Sequence, residues 1–572
     1  MFHVKNHKQG YIFDPWGYLG PKRRKLLDKS WSGLFQKEIL PDLPVDTLRS
    51  HYHDWNGRPT KELYSMIGLM ILQQMHDMTD EEAIEQFCFN IQWHYALNIT
   101  SPDDAASYIS GKSIWKMRDK LSTEEAYNDI FTTTLKRLAE IFKVDFSKQR
   151  IDSVHVQSNM RHLGRISLFV KTIKSFLNNL KRQHRNLFDQ LDKDLIKRYL
   201  SKNTESLFAS VKPSDSSHTL DQLAMDVFVL TERFAQVSVV ENMSTLKQLI
   251  RLFQEQCVVE EEEDSSNAKA VAKPNKEVPS DSLQNPSDPG AGYSNHKGKG
   301  YQAQVAETYT ESNDTEEVDT RLSLITHIAV ESADKHDANA LLPAIEELEK
   351  QDIKPQEILA DSLYGSTSNC DKAKREHGVE VVAPLMPGNQ KYFHLSEFAL
   401  DGYGHITLCP CGSTPKSVKP TKKGFSAAFL SETCLGCESF DTCPVKKGTK
   451  ACYYRYTADD VRLAHRKRYE ESSAFKDRYR YRAGVEATMS EYDRRTGVKH
   501  LRVRGMKAVR FAVVMKAIGL NIFRAARYRR RKNPTKVPQR ATVGVFTSLV
   551  ECFKGQFLRR NQFLLAACAS CC

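Results

Sequence analysis

Apolar residues recur along this chain with two different spacings, and the switches between them outline its architecture. From residue 30 to 140 they return every three or four positions, as on the buried face of a helix. GRPTKELYSMIGLMILQQMHDMTDEEAIEQFCFNIQWHYAL holds two such segments, the second opening on Thr79 with Glu82 three residues later. That pairing predicts a capping box, each side chain satisfying the other's backbone donor. QRIDSVHVQSN, 149–159, alternates with period two and predicts a strand carrying Asp152. Helical spacing returns from Leu168 to about Val259. A polar tract rich in Pro and Ser follows, EEEEDSSNAKAVAKPNKEVPSDSLQNPSDPGAG, whose composition predicts a flexible linker.

Beyond the tract, strands are expected at 300–309 (GYQAQVAETY) and 322–332 (LSLITHIAVES), then a helix at 337–350 with Asp337 as its cap. EILADSLYGS, 357–366, reads as a core strand that runs into Asp361. A helix near 367–377 and a strand at 379–385 come next, and strands separated by helices predict an α/β sheet. A cysteine-rich segment, 389–455, interrupts the pattern before one more helix from about 470, ESSAFKDRYRYRAGVEATMSEYDRR. No internal repeat stands out. An acid at the end of a buried strand is costly to desolvate alone. Asp361 therefore either caps the following helix or aims its carboxylate at a cation.

Composition changes this picture little: at 572 residues, with 40% hydrophobic and 27% charged residues, the chain suits three or four soluble globular units. The start has no apolar signal-like stretch, and FLLAACASCC is too short to span a bilayer, so no membrane role is expected. Thirteen clustered cysteines fit metal binding in a reducing compartment, with the cytoplasm as the expected location. Charge adds more. The net is +12, yet Arg494–Arg540 alone holds sixteen Lys and Arg and no acid, so the remainder is slightly acidic. A basic block interleaved with apolar residues, as in VRFAVVMKAIGLNI, points to a packed helix and a footprint on nucleic acid.

Tyr479, Arg482 and Glu486 fall at i, i+3 and i+7, on one face of the last expected helix. With Asp152 and Asp361 they offer three carboxylates from separate elements, the donor set for two Mg²⁺ or Mn²⁺ ions about 3.5–4 Å apart. Arg482 suits a bidentate contact to a DNA phosphate, supported by the Tyr479 hydroxyl. The bland alternative is three capping or surface acids. His155, three residues past Asp152, is expected on the opposite face of the strand in a structural role. His500 lies among basic residues, where a phosphate contact and a solvated position are both open.

The segments IDSVHVQSN, ILADSLYGS and YRYRAGVEATMSEYDRRTGVKHLRVRG resemble the three catalytic blocks of DDE transposases from bacterial insertion sequences. The Tyr-x2-Arg-x3-Glu spacing is similar to the group with a Tyr-Arg-Glu-Lys signature. HKGKGYQAQVAET, 296–308, resembles that family's second strand, and 60–135 its helical N-terminal domain. The resemblance spans about two-thirds of the chain. It implies an RNase H-like mixed sheet with helices on both faces, a divalent metal held by Asp152, Asp361 and Glu486, and DNA cleavage with strand transfer. Double-stranded DNA, as element ends and target, is the implied partner, bound by at least a dimer. Tyr479, Arg482, Arg494, Lys499, Arg502 and Arg504 are the implied DNA contacts. Where the signature has Lys, seven residues after the glutamate, this chain has Asp493, and Arg494 stands in. Rival readings are a nuclease on the same core without strand transfer, and a transposase-derived DNA-binding protein without catalysis.

The implied layout is a helical DNA-binding or assembly domain (1–140), core segments at 147–165, 291–388 and 466–532, a helical insertion plus linker (166–290), a cysteine-rich insertion (389–465) and a tail (533–572). The tail does not resemble the family, and its Cys568, Cys571 and Cys572 have no evident partner. Cys409, Cys411, Cys434, Cys437 and Cys443 read C-x-C, then C-x2-C-x5-C, a pattern that either binds structural Zn²⁺ or supplies ordinary thiols. For zinc the expected ligands are Cys409, Cys434, Cys437 and Cys443, one of the C-x-C pair being idle.

Overall fold

The structure, a computed structural model, describes residues 1–532 apart from 55, 58, 124, 203, 261–268, 313, 315–320 and 387–391. The tail, with its three thiols, lies outside the described residues. The N-terminal region is helical as its periodicity predicts, built around α1 (Leu63–Met75) and α2 (Tyr127–Phe142). The Thr79–Glu82 capping box is present, with Thr79 N donating to Glu82 at 2.7 Å and Glu82 N to Thr79 at 3.2 Å. Further on, α3 (Arg165–Gln183), α4 (Ser216–Phe234) and α5 (Ser244–Gln256) enclose a core of their own, including Phe169, Phe176, Leu230 and Leu249.

The linker expectation fails where the tract is described. Cys257–Glu260 and Lys269–Ala272 pair as an antiparallel hairpin, Leu283 joins the helical core, and Asn285 and Asp288 are buried. Asp288 accepts hydrogen bonds from the Tyr301 and Ser158 hydroxyls and from Gly505 N at 3.0 Å. Polar composition suggested solvation, but these groups are satisfied by the protein instead of water.

Six strands form the central sheet: β1 (Lys148–Gln157), β2 (Gly292–Ser294), β3 (Gly298–Thr308), β4 (Ile325–Ser332), β5 (Glu357–Leu359) and β6 (Glu380–Val382). β1 is central, antiparallel to β3 and parallel to β5, with β6 parallel beyond β5 and both β2 and β4 antiparallel to β3. This mixed order is consistent with the RNase H-like core that the resemblance implies. A parallel pair needs a crossover, and α6 (Leu341–Lys350) lies on the route into β5. α6 and α7 (Thr367–His377) cover one face, where Ile151, Ala306 and Ile358 meet Leu341, Ile345 and Ala373.

Asp337 does not cap α6. It opens a short 3-10 turn, Asp337–Asn339, whose cap is His336, and its own carboxylate is buried against Gln304 and Ser153. The last expected helix also differs, being α8 (Ser473–Tyr479), a 3-10 turn (Arg480–Ala483) and α9 (Gly484–Thr496) in succession. α9 and the long α10 (Met506–Lys532) cover the other sheet face, packing Val485, Met489 and Tyr492 on Val154 and Val305. From Val509 to Ile522 nearly every residue of α10 is buried, between the sheet and the helical N-terminal domain. Helices cover both faces because β1 is apolar on each side, with Ile151 turned to α6 and α7 and Val154 to α9 and α10.

Candidate active site

Strand register brings two of the candidate acids together. Arg150 of β1 pairs with Leu359 of β5 in parallel, which sets Asp152 level with Asp361, each two residues further on. Asp361 lies just past β5, where its Oδ1 accepts from Leu363 N at 2.8 Å and Tyr364 N at 3.4 Å. That turn fixes the carboxylate at the strand end. It does not cap α7, whose first turn is held by Ser366.

One guanidinium meets all three acids. Arg482 Nη2 lies 2.8 Å from Asp152 Oδ2 and 4.0 Å from Asp361 Oδ2, and its Nη1 is 3.5 Å from Glu486 Oε1. Its Nε is buried without a hydrogen-bond partner. Burial pushes the Asp152 carboxyl above its usual range; Arg482 opposes that, while Asp361 and Asp337 add to it. Glu486, in the first turn of α9, keeps 73% of its side-chain surface exposed. Tyr479 stacks on Phe475 with ring centroids 5.3 Å apart, and burial raises its hydroxyl pKa in the field of Arg482, Asp361 and Asp152. The 3-10 turn therefore does not scatter the Tyr479–Arg482–Glu486 set.

The basic candidates are placed less uniformly. Arg494 is exposed at the end of α9. The Lys499 carbonyl accepts from Gln157 N at 2.8 Å, so the strand bearing Asp152 is tied to the loop after α9. Arg502 binds the Asp77 carbonyl at 2.5 Å and its carboxylate at 3.3 Å, and Arg504 binds Asn159. His500 is exposed in the turn after Gly497. His155 is half-buried, with both ring nitrogens lacking a partner and its pKa lowered by burial. Part of the basic block faces inward: Lys516 pairs with Asp77, Arg524 with Glu307 and Glu491, and Arg529 with the carbonyls of Asp28 and Ser30.

Among the described residues no three His, Cys, Asp or Glu side chains stand close enough to hold one metal ion. The donor chemistry nevertheless suits a divalent cation, because hard oxygen ligands from β1, the end of β5 and α9 already share one cationic group. In the cysteine-rich segment, Cys409, Cys411, Cys434, Cys437 and Cys443 line one cavity of about 30 Å³. Ser413 N donates to Cys409 Sγ at 3.2 Å. Burial, with Cys452, Cys443 and Cys409 nearby, pushes the Cys434 thiol up to about 12.

Two parts of the chain match family models: residues 408–526 match the transposase DDE domain, and residues 35–120 match the transposase domain DUF772. The chain carries the domains of a DDE transposase of an insertion sequence. No curated protein and no solved structure matches it. The DDE match begins beside Cys409 and takes in Tyr479, Arg482 and Glu486, whereas Asp152 and Asp361 lie outside it. No helix among the described residues of this transposase is long and apolar enough to cross a membrane.

Two site neighbours escaped the reading of the sequence. Arg150, one pleat before Asp152, pairs with the wholly buried Glu307 of β3 at 2.7 Å. The signal was a lone acid in the otherwise uncharged GYQAQVAETY, which demands a buried cation. The other is Asp337, on the opposite face, whose carboxylate gathers Gln304 at 2.9 Å, Ser153 at 3.3 Å and Lys297 at 3.6 Å. Nothing local distinguishes that aspartate from a helix cap.

Proposed function

We propose that this transposase binds the ends of its insertion sequence and catalyses metal-dependent DNA cleavage followed by strand transfer. The observation that carries the reading is the convergence of Asp152, Asp361 and Glu486 on Arg482 at a strand end. Asp152, Asp361 and Glu486 would hold Mg²⁺ or Mn²⁺, which when bound supplies charge to the attacking and leaving oxygens of an in-line displacement at phosphorus. Arg482 turns from the carboxylates to a DNA phosphate, where its planar fork bonds two oxygens. Tyr479 keeps its hydroxyl protonated beside it, since burial raises its pKa. Arg494 and Lys499 extend the phosphate track, with Arg502, Arg504 and His500 at its margin. Working on two element ends at once calls for at least a dimer on DNA, acting in the cytoplasm.

The lining of one cavity by five cysteines supports a structural zinc held by Cys409, Cys434, Cys437 and Cys443 once they draw together on the ion, which would offset the burial and the neighbouring thiols that raise the Cys443 pKa. Metal analysis of the purified chain should find one zinc, lost in Cys437→Ser. The catalytic reading is tested on a DNA fragment bearing the element ends with Mg²⁺ or Mn²⁺. Wild type should cut and join, and Asp361→Ala should bind the ends without cutting. Hydrolysis without joining would leave a nuclease, binding without cutting a DNA-binding protein, and a fully active Asp361→Ala would remove the triad.

A further inference from the structure

Arg150 stands on the same face of β1 as Asp152 and faces the segment that carries Arg482 and Glu486. Its Nε and Nη2 each lie 2.7 Å from Glu307 Oε1, and its Nη1 donates to the Tyr481 carbonyl at 2.6 Å. Tyr481 immediately precedes Arg482. The same guanidinium lies under Gly484, the first residue of α9, where a Cβ would fall 2.1 Å from Nη1. Glu486 is two residues further on. Glu307 grips α9 as well: the Thr488 hydroxyl reaches both its oxygens, at 2.8 and 2.7 Å, and Arg524 Nη1 binds it at 2.8 Å.

A buried ion network is a poor source of stability, since desolvation consumes most of the attraction. What it supplies is a fixed geometry, and here the geometry fixed is the junction between the 3-10 turn and α9. The carbonyl taken by Arg150 lies within that 3-10 turn, where the helix leaves its regular course. Glu307 alone is balanced by Arg524, so Arg150 is not needed to neutralise it. Arg150 is the member that joins the strand bearing Asp152 to the turn bearing Arg482.

We propose that Arg150, braced by Glu307, is a positioning residue that sets Arg482 and Glu486 over Asp152 and Asp361. The chemistry being positioned rests on the transposase reading; the clamp itself does not. Arg150→Lys keeps the charge but replaces the planar fork, which bonds Glu307 through Nε and Nη2 and Tyr481 through Nη1, with a single nitrogen. Its test combines hydrogen exchange over 480–490, Mn²⁺ binding by calorimetry without DNA, and cleavage of element ends. The expected result is faster exchange at 480–490 with α10 unchanged, Mn²⁺ binding weakened about 10-fold to 100-fold, as when an outer partner of a metal ligand is lost, and cleavage partly restored by excess Mn²⁺. Gly484→Ala, which displaces the guanidinium from the other side, should reproduce the exchange pattern if Arg150→Lys does not fold. Unchanged exchange and Mn²⁺ affinity in a folded variant would overturn the proposal. A wild type that neither binds Mn²⁺ nor cuts, while Arg150→Lys still loosens 480–490, would remove the transposase chemistry and leave the clamp standing.

Discussion

Gly484→Ala isolates the steric side of the Arg150 clamp, and two opposing effects must be weighed. The backbone at Gly484 is ordinary right-handed helix, φ −64° and ψ −17°, so an alanine would fit the chain itself. On that ground alone the substitution should stabilise by about 0.5–1 kcal/mol, since glycine loses more freedom on folding. Against this, the new Cβ would fall 2.1, 2.8 and 2.9 Å from Nη1, Cζ and Nη2 of Arg150. The guanidinium is pinned on its other side by Glu307 and by the Tyr481 carbonyl, so it cannot retreat without breaking a charged hydrogen bond. Overpacking costs about 1–3 kcal/mol, and a lost hydrogen bond to a charged group about 1.5–3 kcal/mol. Repulsion should win: once the helix gain is subtracted, α9 is left weaker by about 0.5–2.5 kcal/mol. Because the chain encloses separate hydrophobic cores, amide exchange across 485–492 is the right assay, as it reads local opening directly. Equal or greater protection in the alanine variant would refute the clamp.

Arg482→Gln should bind Mn²⁺ more tightly than wild type without DNA, because the competing guanidinium is gone, and should bind element ends more weakly; calorimetry and a gel-shift titration check the two halves. His76 is packed between Trp31, Trp93 and Phe523 with its Nε2 unpartnered, and burial lowers its pKa to about 4. Its folded pKa lies below the unfolded value near 6.5, so the unfolded state binds more protons between the two. Stability should fall as pH drops from about 6.5 to 4, by about 2–3 kcal/mol in all. A His76→Phe variant should lack that slope in thermal unfolding. Asp77→Ala should cost about 2–4 kcal/mol, because it strips the buried Lys516 of its partner at 2.7 Å, whereas Lys516→Met should cost far less. Thermal unfolding of the two variants side by side gives the comparison.

The sequence by itself determined the elements whose signals are local. The Thr79–Glu82 box, the alternation around Asp152, the run into Asp361 and the helical spacing of 168–256 each depend on residues a few positions apart, and each element formed. The spacing of Tyr479, Arg482 and Glu486 likewise placed them together, although the helix carrying them is broken. Tertiary structure decided what depends on distant partners. The tract from 269 to 292 is polar enough to be solvated, yet Asp288 is buried because Tyr301, Ser158 and Gly505 come to it from elsewhere in the chain. Asp337 was legible as a cap and became the centre of a buried polar group because Gln304 and Ser153 face it across two strands. The C-terminal basic block reads as a surface footprint, but Lys516, Arg524 and Arg529 turn inward to acids and carbonyls supplied by other elements. A carboxylate or a guanidinium carries no local mark of its partner. Its role is set by which charge the fold brings within about 4 Å, where the interaction in a low-dielectric interior outweighs any local preference.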